Sequence, residues 1–297
     1  MAQTDTEVLP MHRNGSRASA EAWLAWARTG DDPQDWHARI RNALLGNGFV
    51  LHAQPVIEVS TGAVVRHELL LRMVEDGRLI PPARFLPHAE SCGLITDIDY
   101  WVLDRGIRIA GETPVAINLS AKTLSDPRLG SYIRGCLIDH GTEPTNVVFE
   151  ITETAAVGRL GHASRLAQEL TDVGCSFLLD DFGTGFGSFT YLQRLPLSGV
   201  KIDVSFVRGM AEDPADRRIV EAIVSVARRL DLQTIAEGVE DQETFDLLAS
   251  MGVDFAQGFH LGRPARLADI RRLRPARQAT VVGRRSPVRR PKLQPAT

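Results

Sequence analysis

The stretch NVVFEITETAAVGRLGHASRLAQELTDVGCSFLLDD, residues 146–181, decides the fold. It opens on a short apolar run, 146–152, that closes on a carboxylate and a threonine. Residues 155–173 then space their apolar positions at helical period, and 176–181 form a second apolar run ending in two aspartates. Strand, helix and strand in this order are the unit of an α/β fold. Working outward, the same unit recurs. Runs at 49–59, 64–71, 114–120, 199–203, 233–237 and 254–259 are separated by helical candidates at 83–91, 97–110, 214–231 and 240–251. Eight strands with helices between most of them predict a (β/α)8 TIM-like barrel. The first two runs are joined by Ser60-Thr61-Gly62 alone, too short for a parallel crossover, so the first strand is expected to be antiparallel.

Residues 1–34 read as a partly disordered N-terminal extension. Within it, 18–28 is a candidate amphipathic helix carrying Trp23 and Trp26, and Asp32 with Pro33 marks the start of the next helix. The barrel is expected over 35–273 and a basic, disordered tail over 274–297. Nine basic and no acidic residues lie between Arg271 and Thr297, so the body is more acidic than the net charge of −3 suggests. An acidic body argues against a stable nucleic-acid partner. Three cysteines, Cys92, Cys136 and Cys175, have neither disulfide nor metal spacing, and no apolar run is long enough to cross a membrane. A cytoplasmic protein is expected.

The strand ends carry the chemistry. Glu68, Asn118, Glu150, Asp180-Asp181, Lys201, Glu237 and Gln257 fall at or near the C-terminal ends of seven successive strands. In a barrel those ends converge on one face, where active sites sit. Carboxylates crowded on one rim repel each other and call for cations. An all-oxygen set without histidine or cysteine favours Mg²⁺ or Mn²⁺ over zinc. Only three of the 34 basic residues are lysine, and one of them, Lys201, stands on this rim, where a compact ammonium can orient a water as a planar guanidinium cannot. The segment 183–188 invites comparison with a dinucleotide loop, but Ser188 stands where the third glycine would be. His67 and His260 lie near the rim and are expected to pack or face solvent.

These motifs, in this order, resemble the EAL domain, the cyclic di-GMP-specific phosphodiesterase family. The resemblance runs from about Asp35 to Ala265. It is carried by Gln54-Pro55, Glu68-Leu69-Leu70-Leu71-Arg72, Asn118-Leu119-Ser120, Glu150-Ile151-Thr152-Glu153-Thr154, Asp180-Asp181-Phe182-Gly183-Thr184-Gly185, Leu195-Pro196, Lys201-Ile202-Asp203, Ala236-Glu237-Gly238-Val239-Glu240 and Gln257-Gly258-Phe259. It implies hydrolysis of cyclic di-GMP to linear pGpG with two Mg²⁺ or Mn²⁺ ions. Glu68, Asn118, Glu150 and Asp180 would hold the first ion, and Asp180, Asp181 and Glu237 the second. Lys201 would assist the attacking water, and Glu68, Asp181 and Glu237 would share in catalysis. Gln54, Arg72 and Gln257 would contact the nucleotide, and Glu153 would hold the Asp181 loop. Leu69, Ala53 and Phe186-Gly187-Ser188-Phe189 depart from the family's usual residues. A homodimer is implied, with Phe186, Phe189, Tyr191 and Leu192 as an apolar patch at the contact. The rival reading is an idle cyclic di-GMP-binding regulatory module, whose kind has usually lost a metal ligand or the lysine. Here every such position is filled.

Overall fold

The computed structural model describes residues 33–185 and 189–272. The candidate helix at 18–28, the Asp32 cap and the tail lie outside those residues. All eight expected strands form: β1 (Phe49–Glu58), β2 (Val64–Glu75), β4 (Val115–Asn118), β5 (Val147–Thr152), β6 (Ser176–Phe182), β7 (Gly199–Ile202), β8 (Gln233–Ala236) and β9 (Phe255–Ala256). β2 to β9 run in parallel through β4, β5, β6, β7 and β8, while β1 pairs antiparallel with both β2 and β9 and so closes the barrel. Two short strands were not anticipated. β3 (Arg78–Ile80) extends the β2 hairpin, and β10 (Ala265–Arg266) pairs with β1.

The helices follow their sequence signals. α1 (Pro33–Leu45) buries Trp36 and Ile40. α2 (Pro82–Cys92) begins with proline in its first turn, where a missing N–H costs nothing, and ends at Gly93 in the left-handed region. α3 (Ile95–Ala110) follows, and then α4 (Leu129–Asp139), which the sequence reading did not single out because Gly130 and Gly135 dilute its pattern. The helix expected at 155–173 is two, α5 (Glu153–Gly158) and α6 (Leu160–Asp172), because Arg159 between them leaves helical geometry at φ −137°, ψ 36°. α7 (Val204–Val207), α8 (Pro214–Arg229), α9 (Gln242–Met251) and α10 (Leu267–Arg272) complete the shell. Aspartates cap three of these, with Asp203, Asp213 and Asp241 each accepting from a backbone N–H of the first turn. No helix among the described residues is long and apolar enough to cross a membrane.

Two cores result. The larger lies between barrel and helices. The smaller is the barrel floor, where Val56, Ala116, Val148, Leu178 and Ile235 meet in the lumen with Phe255 packed against them. Side chains alternate across a strand, so the residue two positions further along points into the lumen one layer higher. Those next positions are Gln54, Asn118, Glu150, Asp180, Glu237 and Gln257.

Candidate active site

The polar layer is organised around Lys201. Its side chain is only 1 % exposed, and Nζ lies 2.6 Å from Glu237 Oε1, 2.8 Å from Glu150 Oε2, 3.2 Å from Asp180 Oδ1 and 3.5 Å from Glu68 Oε2. Burial works against this charge, but Asp180, Glu150, Glu237 and Glu68 together hold its pKa well above the ordinary value. Lysine here occupies the centre of a ring whose members come from five strands.

Glu68 is fixed on both oxygens. Asn118 Nδ2 donates to Oε1 at 2.8 Å and Gln257 Nε2 donates to Oε2 at 2.6 Å. Burial alone would raise its pKa, yet Lys201 and the two amides bring it below the usual range. Gln257 Nε2 also lies 3.1 Å from Gln54 Oε1, and Gln54 Nε2 donates to the carbonyl of Gly262. Both glutamines are thus buried and engaged with Glu68 or its supports. Arg72, half-buried higher on β2, donates to its own neighbour's carbonyl at Leu71 and stands clear of the ring. Its charge is opposed by burial and favoured by Glu68.

The remaining carboxylates are under strain of charge. Burial, then Glu68 and Asp180, push Glu150 up to about 8 against the pull of Lys201. Glu237 is pushed well above the carboxylate range by burial, Asp180 and Glu68. Asp181 is raised to about 7 by burial and the nearby Asp180 and Asp203. Asp180, Asp181 and Glu237 can present oxygens within 4.8 Å of one another. The local backbone explains how adjacent residues serve one site. β6 carries one extra residue against β7 between Leu179 and Phe182, a bulge, and Asp181 takes φ +55°. The bulge turns both side chains toward the cluster instead of to opposite faces.

Glu153, at the start of α5, supports that turn. Oε2 accepts from the N–H of Gly183 at 3.2 Å, and Oε1 accepts from the Tyr191 hydroxyl at 2.7 Å. A Cβ at Gly185 would lie 2.8 Å from Glu153 Oε1, so a larger residue there would displace the Glu153 carboxylate from this brace. Tyr191 and Leu192 are buried, 5 % and 3 % exposed. The patch expected from Phe186, Phe189, Tyr191 and Leu192 therefore loses two of its four members, Tyr191 to its bond with Glu153 and Leu192 to the core. Phe186 and the Phe189 side chain lie outside what is described. His67 is buried on the outer face of β2, and His260 meets Gln242, so neither joins the ring.

Three contributors escaped the sequence reading. Asp203 caps α7 beside Asp181. Tyr191 braces Glu153. Asp99, on α3, accepts from the N–H of Ser120 at 3.1 Å, two residues beyond Asn118, and burial raises it to about 6. Only Asp203 left a signal, its place beside Lys201.

Residues 37–264 match the EAL domain family. The chain belongs to that family. Among curated EAL relatives it is 38% identical over 234 residues to the bifunctional diguanylate cyclase/cyclic di-GMP phosphodiesterase MucR of Pseudomonas aeruginosa, a match covering 76% of this chain and 34% of MucR. It is 34% identical over 250 residues to the cyclic di-GMP phosphodiesterase PdeF of Escherichia coli, covering 81% of this chain and 33% of PdeF. The chain thus spans about a third of the length of these relatives. Among solved structures, the EAL fold here superposes on the MucR phosphodiesterase in complex with cyclic di-GMP at a TM-score of 0.76, with 37% identity, covering 80% of this chain and 99% of that one. The EAL domain of FimX from Xanthomonas citri, also complexed with cyclic di-GMP, superposes at 0.74 with 28% identity, covering 79% of this chain and 95% of that one.

Proposed function

We propose that this EAL domain is a metal-dependent phosphodiesterase that hydrolyses cyclic di-GMP to linear pGpG, with residues 35–273 as the catalytic barrel. The observation that carries the reading is the complete ring: Glu68, Asn118, Glu150, Asp180, Asp181 and Glu237 with Lys201 at their centre. Five carboxylates against one ammonium leave an excess of buried negative charge, visible in the upward displacement of Glu150, Asp181 and Glu237. Hard divalent cations fit that donor set, and Mg²⁺ or Mn²⁺ is the proposed pair. Glu68, Asn118, Glu150 and Asp180 would hold one ion, and Asp180, Asp181 and Glu237 the other. When bound, the two ions supply Lewis-acid stabilisation of charge on the phosphate and lower the pKa of water.

This chain's own residues supply the rest. Lys201 Nζ orients the attacking water and is held charged for that role by its four acidic neighbours. Asn118 and Gln257 keep Glu68 in one rotamer. Glu153, through Gly183, fixes the turn that delivers Asp181. Arg72 reaches above the ring, where its guanidinium can grip a phosphate with two parallel donors. Gln54 and Gln257 form the adjoining wall proposed for nucleotide contact. A homodimer completes the proposal on the strength of family resemblance, and light scattering at assay concentration tests it.

The experiment is incubation of purified protein with cyclic di-GMP and Mg²⁺ or Mn²⁺, with products separated by chromatography. Linear pGpG is expected. Recovery of bound but intact cyclic di-GMP would instead identify a regulatory binding module.

A further inference from the structure

Two residues below Glu68, on the same lumen-facing side of β2, stands Arg66, opposite Val56 of β1 in the register. It is the one charged residue in a layer otherwise made of Val56, Ala116, Val148, Leu178, Ile235 and Phe255. Its guanidinium lies over the Phe255 ring, 4.9 Å from the centroid. Nε and Nη2 are shielded from solvent and have no hydrogen-bond partner among the described residues. One layer above, Glu150 Oε1 is also buried with no hydrogen-bond partner among the described residues, while Oε2 is held by Lys201. Burial disfavours the charge on Arg66, and Glu150 favours it.

Arginine is charged at every working pH and stays so in this half-buried position. Among the described residues no carboxylate is paired directly with Arg66, so its field is not cancelled locally and reaches into the ring through the lumen. We propose that Arg66 is a positioning residue, a fixed counter-charge beneath the acid ring that keeps the ring assembled without cations and sets its affinity for them. The inference rests on the reading of the ring as a divalent-cation site. The direction follows from charge alone. A fixed positive charge repels a divalent ion twice as strongly as it repels a proton at the same place. Removing it therefore tightens metal binding even while protons compete for the oxygens. The same change leaves the metal-free carboxylates with less compensation, so the metal-free protein loses stability.

The full chain, as wild type, Arg66→Met and Arg66→Lys, is titrated with Mn²⁺ at pH 8, free ion being followed by electron paramagnetic resonance and folding by thermal melting. Arg66→Met is expected to bind Mn²⁺ about tenfold more tightly, and Arg66→Lys to stay within about twofold of wild type. The melting deficit of Arg66→Met in chelator should shrink as Mn²⁺ is added. Unchanged or weaker Mn²⁺ affinity in folded Arg66→Met overturns the inference, as does Arg66→Lys behaving like Arg66→Met. Arg66→Gln serves the same comparison if the methionine variant does not fold. A wild-type protein that binds no Mn²⁺ removes the cation reading of the ring itself, a failure distinct from unaltered binding in the variant.

Discussion

The barrel lumen holds two layers two residues apart that are opposites in chemistry. The floor, Val56, Ala116, Val148, Leu178 and Ile235, is buried and apolar except for Arg66, which is half-buried. The layer above carries Glu150, Asp180, Glu237, Asn118 and Lys201 on the same strands. Apart from the β6 bulge, backbone pairing does not separate them: Ala116 and Asn118, and Val148 and Glu150, sit in one ladder of parallel strands. The floor contributes stability through burial and close packing. The upper layer places charge where burial is unfavourable, and most of its acids are displaced upward as a result. Strain concentrated in one layer of an otherwise well-packed barrel marks the layer kept for chemistry.

Exchanging one residue from each layer should separate the two roles. Lys201→Ala is expected to lower turnover by on the order of 100-fold or more, with much of the cyclic di-GMP binding retained. Turnover and ligand affinity measured side by side check this, and wild-type turnover would remove the lysine from the mechanism. Leu178→Ala, directly below Asp180, should do the reverse. It is expected to cost about 2–5 kcal/mol of stability, read by urea unfolding, with turnover changed far less than in the lysine variant. If Leu178→Ala abolished turnover at unchanged stability, the floor would be part of the chemistry.

A subtler change leaves the ring complete and loosens its support. Glu153→Gln weakens the brace on Gly183 and Tyr191, so turnover at limiting Mn²⁺ should fall about tenfold and recover as Mn²⁺ is raised. A loss that excess Mn²⁺ cannot repair would place Glu153 elsewhere in the mechanism.

The smallest effect is in the pH dependence of the metal-free protein. Asp181 at about 7 and Glu150 at about 8 are raised above their unfolded values by burial and like charge. A carboxyl raised on folding stabilises fully below its unfolded pKa, near 4, and that stability is lost as pH climbs through the folded value. Asp99, raised to about 6, acts in the same direction. In chelator, unfolding midpoints should therefore fall between about pH 5 and 8.5, and added Mg²⁺ should reverse the fall. Midpoints that rise over this range would mean the acids are paired more completely than the ring shows.

The sequence made the barrel legible because each strand is short, apolar and followed by helical spacing, and the three-residue Ser60–Gly62 link forced the antiparallel start. Every ring residue was visible, since strand ends and the EAL motifs point to the same positions. The features that escaped depend on folding to bring distant residues together. Arg159 breaks a helix without proline, and two glycines hide α4. Tyr191 looked like part of an exposed patch because only the fold shows its hydroxyl reaching Glu153, 38 residues away. Arg66 reads as an ordinary polar residue of a hairpin until the register places it under the acid ring.

The central claim is that the upper layer works only as a cation site. It is tested most directly by the rate of pGpG formation from cyclic di-GMP as free Mg²⁺ is raised from excess chelator to saturation. The account predicts no product in chelator and a rate that climbs with free Mg²⁺ to a plateau. Full-rate hydrolysis in excess chelator would contradict it.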